Sequence, residues 1–170
     1  MTDESSDEMN IEKLMDMQAA LDKHIEKKHA LHNEDLVERK ILALLVELGE
    51  LANETRCFKF WSLKGPSDKD TVLAEYVDGI HFILSLGIEK GFMPKVESAS
   101  HLKGEDVTAQ FIKIYGSINE FRVQQEEPAF QAVFTEYLRL GEMLGFSAVD
   151  VEAAYVSKNE VNYERQKNGY

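Results

Sequence analysis

The chain has 170 residues, a formal net charge of −12 and one cysteine, Cys57. That length suits one domain with a sizeable core, so acidic a chain repels the phosphates of a nucleic-acid polymer, and one cysteine excludes an internal disulfide and fits a reducing compartment. No apolar run reaches the roughly 18 residues of a membrane span and the acidic start MTDESSDEMN is not a signal peptide, so a soluble, cytoplasmic protein with no membrane partner is expected.

Residues 1–9 read as a disordered acidic leader, and 10–170 as a single domain. From Asn10 a helical pattern begins, with Ile11, Leu14, Met15 and Ile25 at helical spacing. Gln18 and Asp22 lie one turn apart on it, and by themselves both read more readily as a solvated face than as a site. Asn33 is placed to cap a second helix running to about Arg56. Its later half, ILALLVELGELAN, is apolar almost all round yet carries Glu47 and Glu50. Three residues apart on a helix puts both carboxylates on one face, and acids in apolar surroundings need a compensating charge. Gly49, between them, suggests a close approach by another backbone or a ligand.

The segment Cys57–Asp70 contains Phe58, Lys59, Phe60 and Trp61, closed by a Lys-Gly-Pro-Ser turn. Such a cluster suits a flat base and a phosphate, or else pins a loop into the core. A third helix, about Lys69 to Lys90, repeats the acid pair with Glu75 and Asp78, followed by His81 and Phe82. Residues 92–106 form an irregular connection, a candidate lid. A fourth helix fits 107–125, Pro128 opens a fifth that ends near Gly145, and Ser147 with Asp150 makes a capping box for a sixth. With no β-alternation, the expectation is an all-α helical bundle of about six helices. The last helix carries Lys158, Asn162 and Arg165 as one stripe, the most basic patch in an acidic chain, although cations at a helix C-terminus are also favoured by its dipole.

Two acid pairs on consecutive long helices can converge on one divalent cation. Four oxygen ligands suit Mg²⁺ or Mn²⁺ rather than zinc, and magnesium takes phosphate oxygens as its remaining ligands. A basic stripe would hold the far phosphates, and the combination points to metal-assisted hydrolysis of a polyphosphate. A ferritin-like di-iron site needs two E-x-x-H motifs; Asp78-x-x-His81 is the sole near match, and His81 reads as a satisfied histidine beside the metal shell.

Glu47-x-x-Glu50, the FKFW loop, Glu75-x-x-Asp78 with His81-Phe82, and the C-terminal Lys158, Asn162, Arg165 and Tyr170 together resemble the dimeric, all-α dUTPases, within the wider MazG-type pyrophosphohydrolase superfamily. The resemblance spans Gln18 to Tyr170. It implies an intertwined homodimer, with sites that borrow residues across its interface, that hydrolyses dUTP, and also dUDP, to dUMP, releasing pyrophosphate from dUTP by in-line attack on the β-phosphorus. Glu47, Glu50, Glu75 and Asp78 would hold Mg²⁺, with Glu47 or Glu50 orienting or deprotonating the water. Lys158, Asn162, Arg165 and Tyr170 would hold phosphates, with Lys59 a further contact. Gln18 and Trp61 would contact uracil, and Phe82 would pack where a 2′-hydroxyl would sit. Asp22 stands where some relatives carry asparagine, a departure from the pattern. Two alternatives remain beside this one: the same fold acting on another nucleotide such as dCTP or a damaged base, and a non-enzymatic helical dimer that acts in binding or regulation.

Overall fold

A computed structural model describes residues 8–97 and 106–170. Six helices make up the described architecture: α1 (Ile11–Lys28), α2 (Val37–Thr55), α3 (Lys69–Lys90), α4 (Val107–Gln124), α5 (Glu127–Met143) and α6 (Ala148–Lys167). No strand occurs among the described residues, so the protein is all-α. The acidic leader expected over 1–9 lies outside the described residues as far as 7, and Met9 is buried against the core. Of the candidate lid over 92–106, residues 98–105 likewise lie outside them.

Most helix ends follow local chemistry. Asn10 accepts from the Lys13 N–H at the start of α1. Ser147 and Asp150 exchange the two hydrogen bonds of a capping box at the start of α6. Pro128 sits in the first turn of α5, where its missing N–H costs nothing. The exception is α2. It starts at Val37 rather than after Asn33, which is exposed in the preceding turn. Leu36 stands at the N-cap, and Asp35 before it accepts from the Val37 N–H at 3.0 Å.

α2 and α3 form the centre. Two links cross between them, Lys40 to Glu89 and the pairing of Glu47 with Asp78, and the Ser67 hydroxyl, just ahead of α3, donates to Glu54. Partner numbers fall as α2 numbers rise, so the two helices run antiparallel. α3 is long and apolar enough to cross a membrane by length and composition, but that apolar surface is spent on the core: Tyr76, Val77, Ile80, Ile83 and Leu84 are almost completely buried. α1 and α6 pack on α3 and on each other, α5 also packs on α3, and α4 packs on α2 and α5.

Glycines let the layers close. The hydroxyls of Tyr76 and Tyr137 lie over Gly141 and Gly79, where an added Cβ would come within 2.4 Å and 1.9 Å of them. Gly49, between the α2 glutamates, is approached by the Tyr115 hydroxyl, 3.3 Å from where a Cβ would stand. That hydroxyl donates to the Leu45 carbonyl at 3.1 Å, so a tyrosine, not a backbone or a ligand, accounts for this glycine.

Candidate active site

Glu47 on α2 and Glu75 and Asp78 on α3 each offer a carboxylate oxygen, and the three atoms lie within 4.8 Å of one another. Antiparallel packing is what brings them together, since each faces the seam between the two helices. All three are half-buried. Burial, reinforced by the Asp78 charge, pushes Glu47 up to about 7. Glu75 and Asp78 are also raised, in both cases chiefly by burial. Glu50, the fourth acid expected here, is exposed and falls outside this tight set; its charge is nonetheless one of those raising Glu47. One oxygen of Glu47, Oε2, is buried without a hydrogen-bond partner. An orphaned anionic oxygen inside a set of hard oxygen donors fits a divalent cation such as Mg²⁺ or Mn²⁺.

Lys158 of α6 reaches across to Asp78, with Nζ 2.7 Å from Oδ2. Arg165 also lowers the Asp78 pKa by its charge, and its guanidinium lies 5.2 Å from the centre of the Tyr170 ring. Asn162, Arg165 and Tyr170 line a cavity of about 360 Å³ together with Glu47, Asp78, His81 and Phe82. α1 supplies Gln18 and Asp22 to the same cavity, and the structure adds Lys40 and Ser85. The cavity is thus lined by acids, by residues of the basic end of α6, by the Gln18 amide and by the Phe82 ring.

Hydrogen bonds link the polar side chains of the wall. Gln18 Nε2 donates to Asp22 Oδ1 at 2.8 Å. The Ser85 hydroxyl donates to Asp22 Oδ2 at 2.7 Å, and Lys40 Nζ stands 3.8 Å from that oxygen and 2.7 Å from Glu89. Burial raises the Asp22 pKa, while Ser85 and Lys40 act against that rise. Gln18 Oε1 meets both the Tyr155 hydroxyl and His81 Nδ1 at 2.6 Å. Burial, with the Lys158 charge adding to it, pushes His81 down to about 3, so the ring is neutral. Its Nε2 is buried with no partner, which differs from the satisfied histidine expected from the sequence.

Lys59 and Trp61 do not reach this cavity within one chain. Trp61 is 65% exposed and packs edge-on against Phe58 and Phe60, while Lys59 lies over the Phe58 ring. The loop is not pinned into the core by its aromatics either. Arg56 holds it, donating to the Ser62 hydroxyl and the Lys64 carbonyl at 2.8 and 3.1 Å.

Sequence reasoning missed Tyr155 and Ser85. Each had a signal: Tyr155 precedes Lys158 by three residues and Asn162 by seven, and Ser85 follows Asp78 by seven, so each shares a helix face with an expected site residue.

Residues 10–170 match the family model of the dUTPases. The chain belongs to the dUTPase family, in its all-α form. The match takes in all six helices and every residue of the acid cluster and cavity wall. No curated protein matches the chain.

Proposed function

We propose that this member of the dUTPase family hydrolyses dUTP, and also dUDP, to dUMP, with pyrophosphate the other product from dUTP. The observation that carries the proposal is the convergence of Glu47, Glu75 and Asp78 beside a cavity that Glu47 and Asp78 line together with Asn162, Arg165 and Tyr170. Glu47, Glu75 and Asp78, joined by Glu50, would hold Mg²⁺, with Mn²⁺ able to substitute. Such an ion lowers the pKa of bound water and neutralises charge developing on the phosphates.

The chain's own groups do the rest. Glu47 or Glu50 orients or deprotonates the attacking water, Glu47 from within the acid cluster and Glu50 one turn away on α2. Water oxygen forms a bond to the β-phosphorus as the bridging oxygen to the α-phosphorus departs, so the deoxynucleoside leaves as its monophosphate. Lys158, Asn162, Arg165 and Tyr170 bind phosphate oxygens. Gln18 contacts the base, and Phe82 packs on the sugar and disfavours a 2′-hydroxyl.

The apolar side chains left exposed support a homodimer. Leu42 and Val46 on α2, Ile112 on α4, and Phe60, Trp61 and Leu63 on the loop are 50 to 105% exposed, more apolar surface than single scattered residues account for. A second copy seated on this face would carry its Trp61 and Lys59 to the first copy's cavity, or receive the same from it. The lone Cys57 is compatible with a cytoplasmic location, and 10–170 is proposed as one domain.

Pyrophosphate release from dUTP, dTTP, dCTP and UTP, each with Mg²⁺ and with chelator, tests the proposal. Metal-dependent release from dUTP alone is expected. Comparable release from several nucleotides would keep the metal site and reject the uracil choice. No release from any of them would reject the enzyme altogether and leave a helical binding or regulatory dimer.

A further inference from the structure

We propose that Gln18 meets the base only as a hydrogen-bond donor, locked in that role by Tyr155, His81 and Asp22, and that Tyr155 is therefore a positioning residue for base selectivity. The inference rests on the dUTP reading above and specifies how that site chooses its base.

The orientation of the Gln18 amide follows from its neighbours. Its Nε2 lies 2.8 Å from Asp22 Oδ1. Turning the amide over would set two acceptor oxygens at that distance with no proton between them. Asp22 is held as an acceptor by the Ser85 hydroxyl on its other oxygen and by the Lys40 ammonium nearby. With Nε2 fixed on Asp22, Oε1 faces Tyr155 and His81, both at 2.6 Å. A carbonyl oxygen accepts, so the Tyr155 hydroxyl donates to it and His81 carries its proton on Nδ1. Tyr155 is completely buried, burial keeps its hydroxyl protonated, and its ring stacks on His81 with centroids 4.1 Å apart; the other acceptor in its reach, the Leu14 carbonyl, stands at 3.4 Å against 2.6 Å for Gln18.

Counting valences then fixes what Gln18 can offer. Its oxygen has two lone pairs and both are used; its nitrogen has two hydrogens and one is used. One N–H remains, on a residue that lines the cavity. That hydrogen suits a ring carbonyl oxygen of uracil. An exocyclic amino group in the same place, as on cytosine, would bring two donors face to face and leave both unsatisfied. A free glutamine could turn over and accept from cytosine instead. The bonds to Asp22, Tyr155 and His81 together prevent it, and loss of the Tyr155 hydroxyl weakens that hold.

The test compares kcat/KM for dUTP with that for dCTP in the wild type and in Tyr155→Phe, which keeps the buried ring and removes only the hydroxyl. The dUTP-to-dCTP ratio is expected to fall about fivefold or more, the effect of one lost hydrogen bond, with the change in KM for dUTP rather than in kcat. His81→Asn, which keeps a donor where Nδ1 stood, should retain the ratio, whereas His81→Leu should lower it. A purely structural role would depress both substrates by one factor in every variant, and that result overturns the inference. A selective wild type whose selectivity survives Tyr155→Phe overturns it alone. A wild type that turns over dCTP as fast as dUTP overturns the uracil reading and this inference with it.

Discussion

Tyr76 and Tyr137 exchange hydrogen bonds across the α3–α5 seam: the Tyr76 hydroxyl donates to the Tyr137 carbonyl at 3.0 Å, and the Tyr137 hydroxyl donates to the Tyr76 carbonyl at 2.8 Å. The rings stack 4.8 Å apart. Each hydroxyl needs a glycine beneath it, Gly141 for Tyr76 and Gly79 for Tyr137. Gly79 directly follows Asp78, so this clasp holds the acid-bearing turn of α3 from behind. Gly79→Ala should destabilise the fold by about 1–3 kcal/mol, since the methyl must displace a packed tyrosine ring, and Tyr137→Phe by about 1 kcal/mol. Urea denaturation followed by circular dichroism measures both. Equal stability in Gly79→Ala and the wild type would show that the clasp does not hold the seam.

The acid cluster stores an electrostatic cost that pH exposes. Folding raises Glu47 from near 4.5 to about 7. Relative to the unfolded chain, the neutral carboxyl is favoured in the fold. That advantage is complete below about pH 4.5 and is lost as pH rises through 7. Wild-type stability should therefore fall over this window. Glu47→Gln, which cannot ionise, should raise the melting temperature by a few degrees at pH 8 and change it little at pH 4.5. Hydrolysis in the same variant should fall about a hundredfold or more if Glu47 takes the proton from water. Thermal melts at the two pH values, with and without Mg²⁺, check this, and Mg²⁺ should stabilise the wild type more at pH 8 than at 4.5.

Lys158 is the cation nearest the acids. Its side chain is 19% exposed and that of Asp78 15%, so the pair is shielded enough for its loss to be felt. Lys158→Met removes the charge that opposes the burial-driven rise in Asp78. The Asp78 pKa should rise further, and the KM for dUTP should increase about tenfold, more than kcat falls. A titration of the side-chain carboxyl carbons by NMR reads the first effect and steady-state kinetics the second. An unchanged KM would remove Lys158 from the phosphate contacts.

The exposed loop offers a clean separation of stability from function. Trp61 touches only its neighbours Phe58 and Phe60 among the aromatic rings, so Trp61→Ala should change stability by less than about 0.5 kcal/mol. Its KM for dUTP should nevertheless rise if Trp61 meets the base from across a dimer. Sedimentation of the wild type should give a dimer mass. A monomer with full activity would show that the cavity works without the loop of a second copy.

Much of this was legible in sequence because it is local. The acid spacing on α2 and α3, the Lys158, Asn162, Arg165 stripe, and the Ser147–Asp150 box are all one-helix patterns; the box forms, and the structure brings three of the four acids together. The misplaced start of α2 is a local miss: Asn33 has the right chemistry for a cap, but the helix starts at Val37, after Leu36. What stayed hidden depends on three-dimensional neighbours. Nothing in the sequence says that Tyr155 and His81 converge on one amide oxygen, since 74 positions separate them. Nor does spacing tell that Glu50 turns to solvent while Glu47, one turn away, turns to Asp78. The FKFW loop reads as buried or base-binding from composition, yet its aromatics find no core within one chain.

The most direct test of the central claim is Mg²⁺-dependent pyrophosphate release from dUTP by the wild type beside Glu75→Gln, an exchange that removes one oxygen anion from the cluster and keeps its shape. The account predicts rapid release by the wild type, abolished by chelator, and a loss of about a hundredfold or more in Glu75→Gln that rising Mg²⁺ partly restores. Full activity in Glu75→Gln, or hydrolysis by the wild type that chelator leaves untouched, would contradict it.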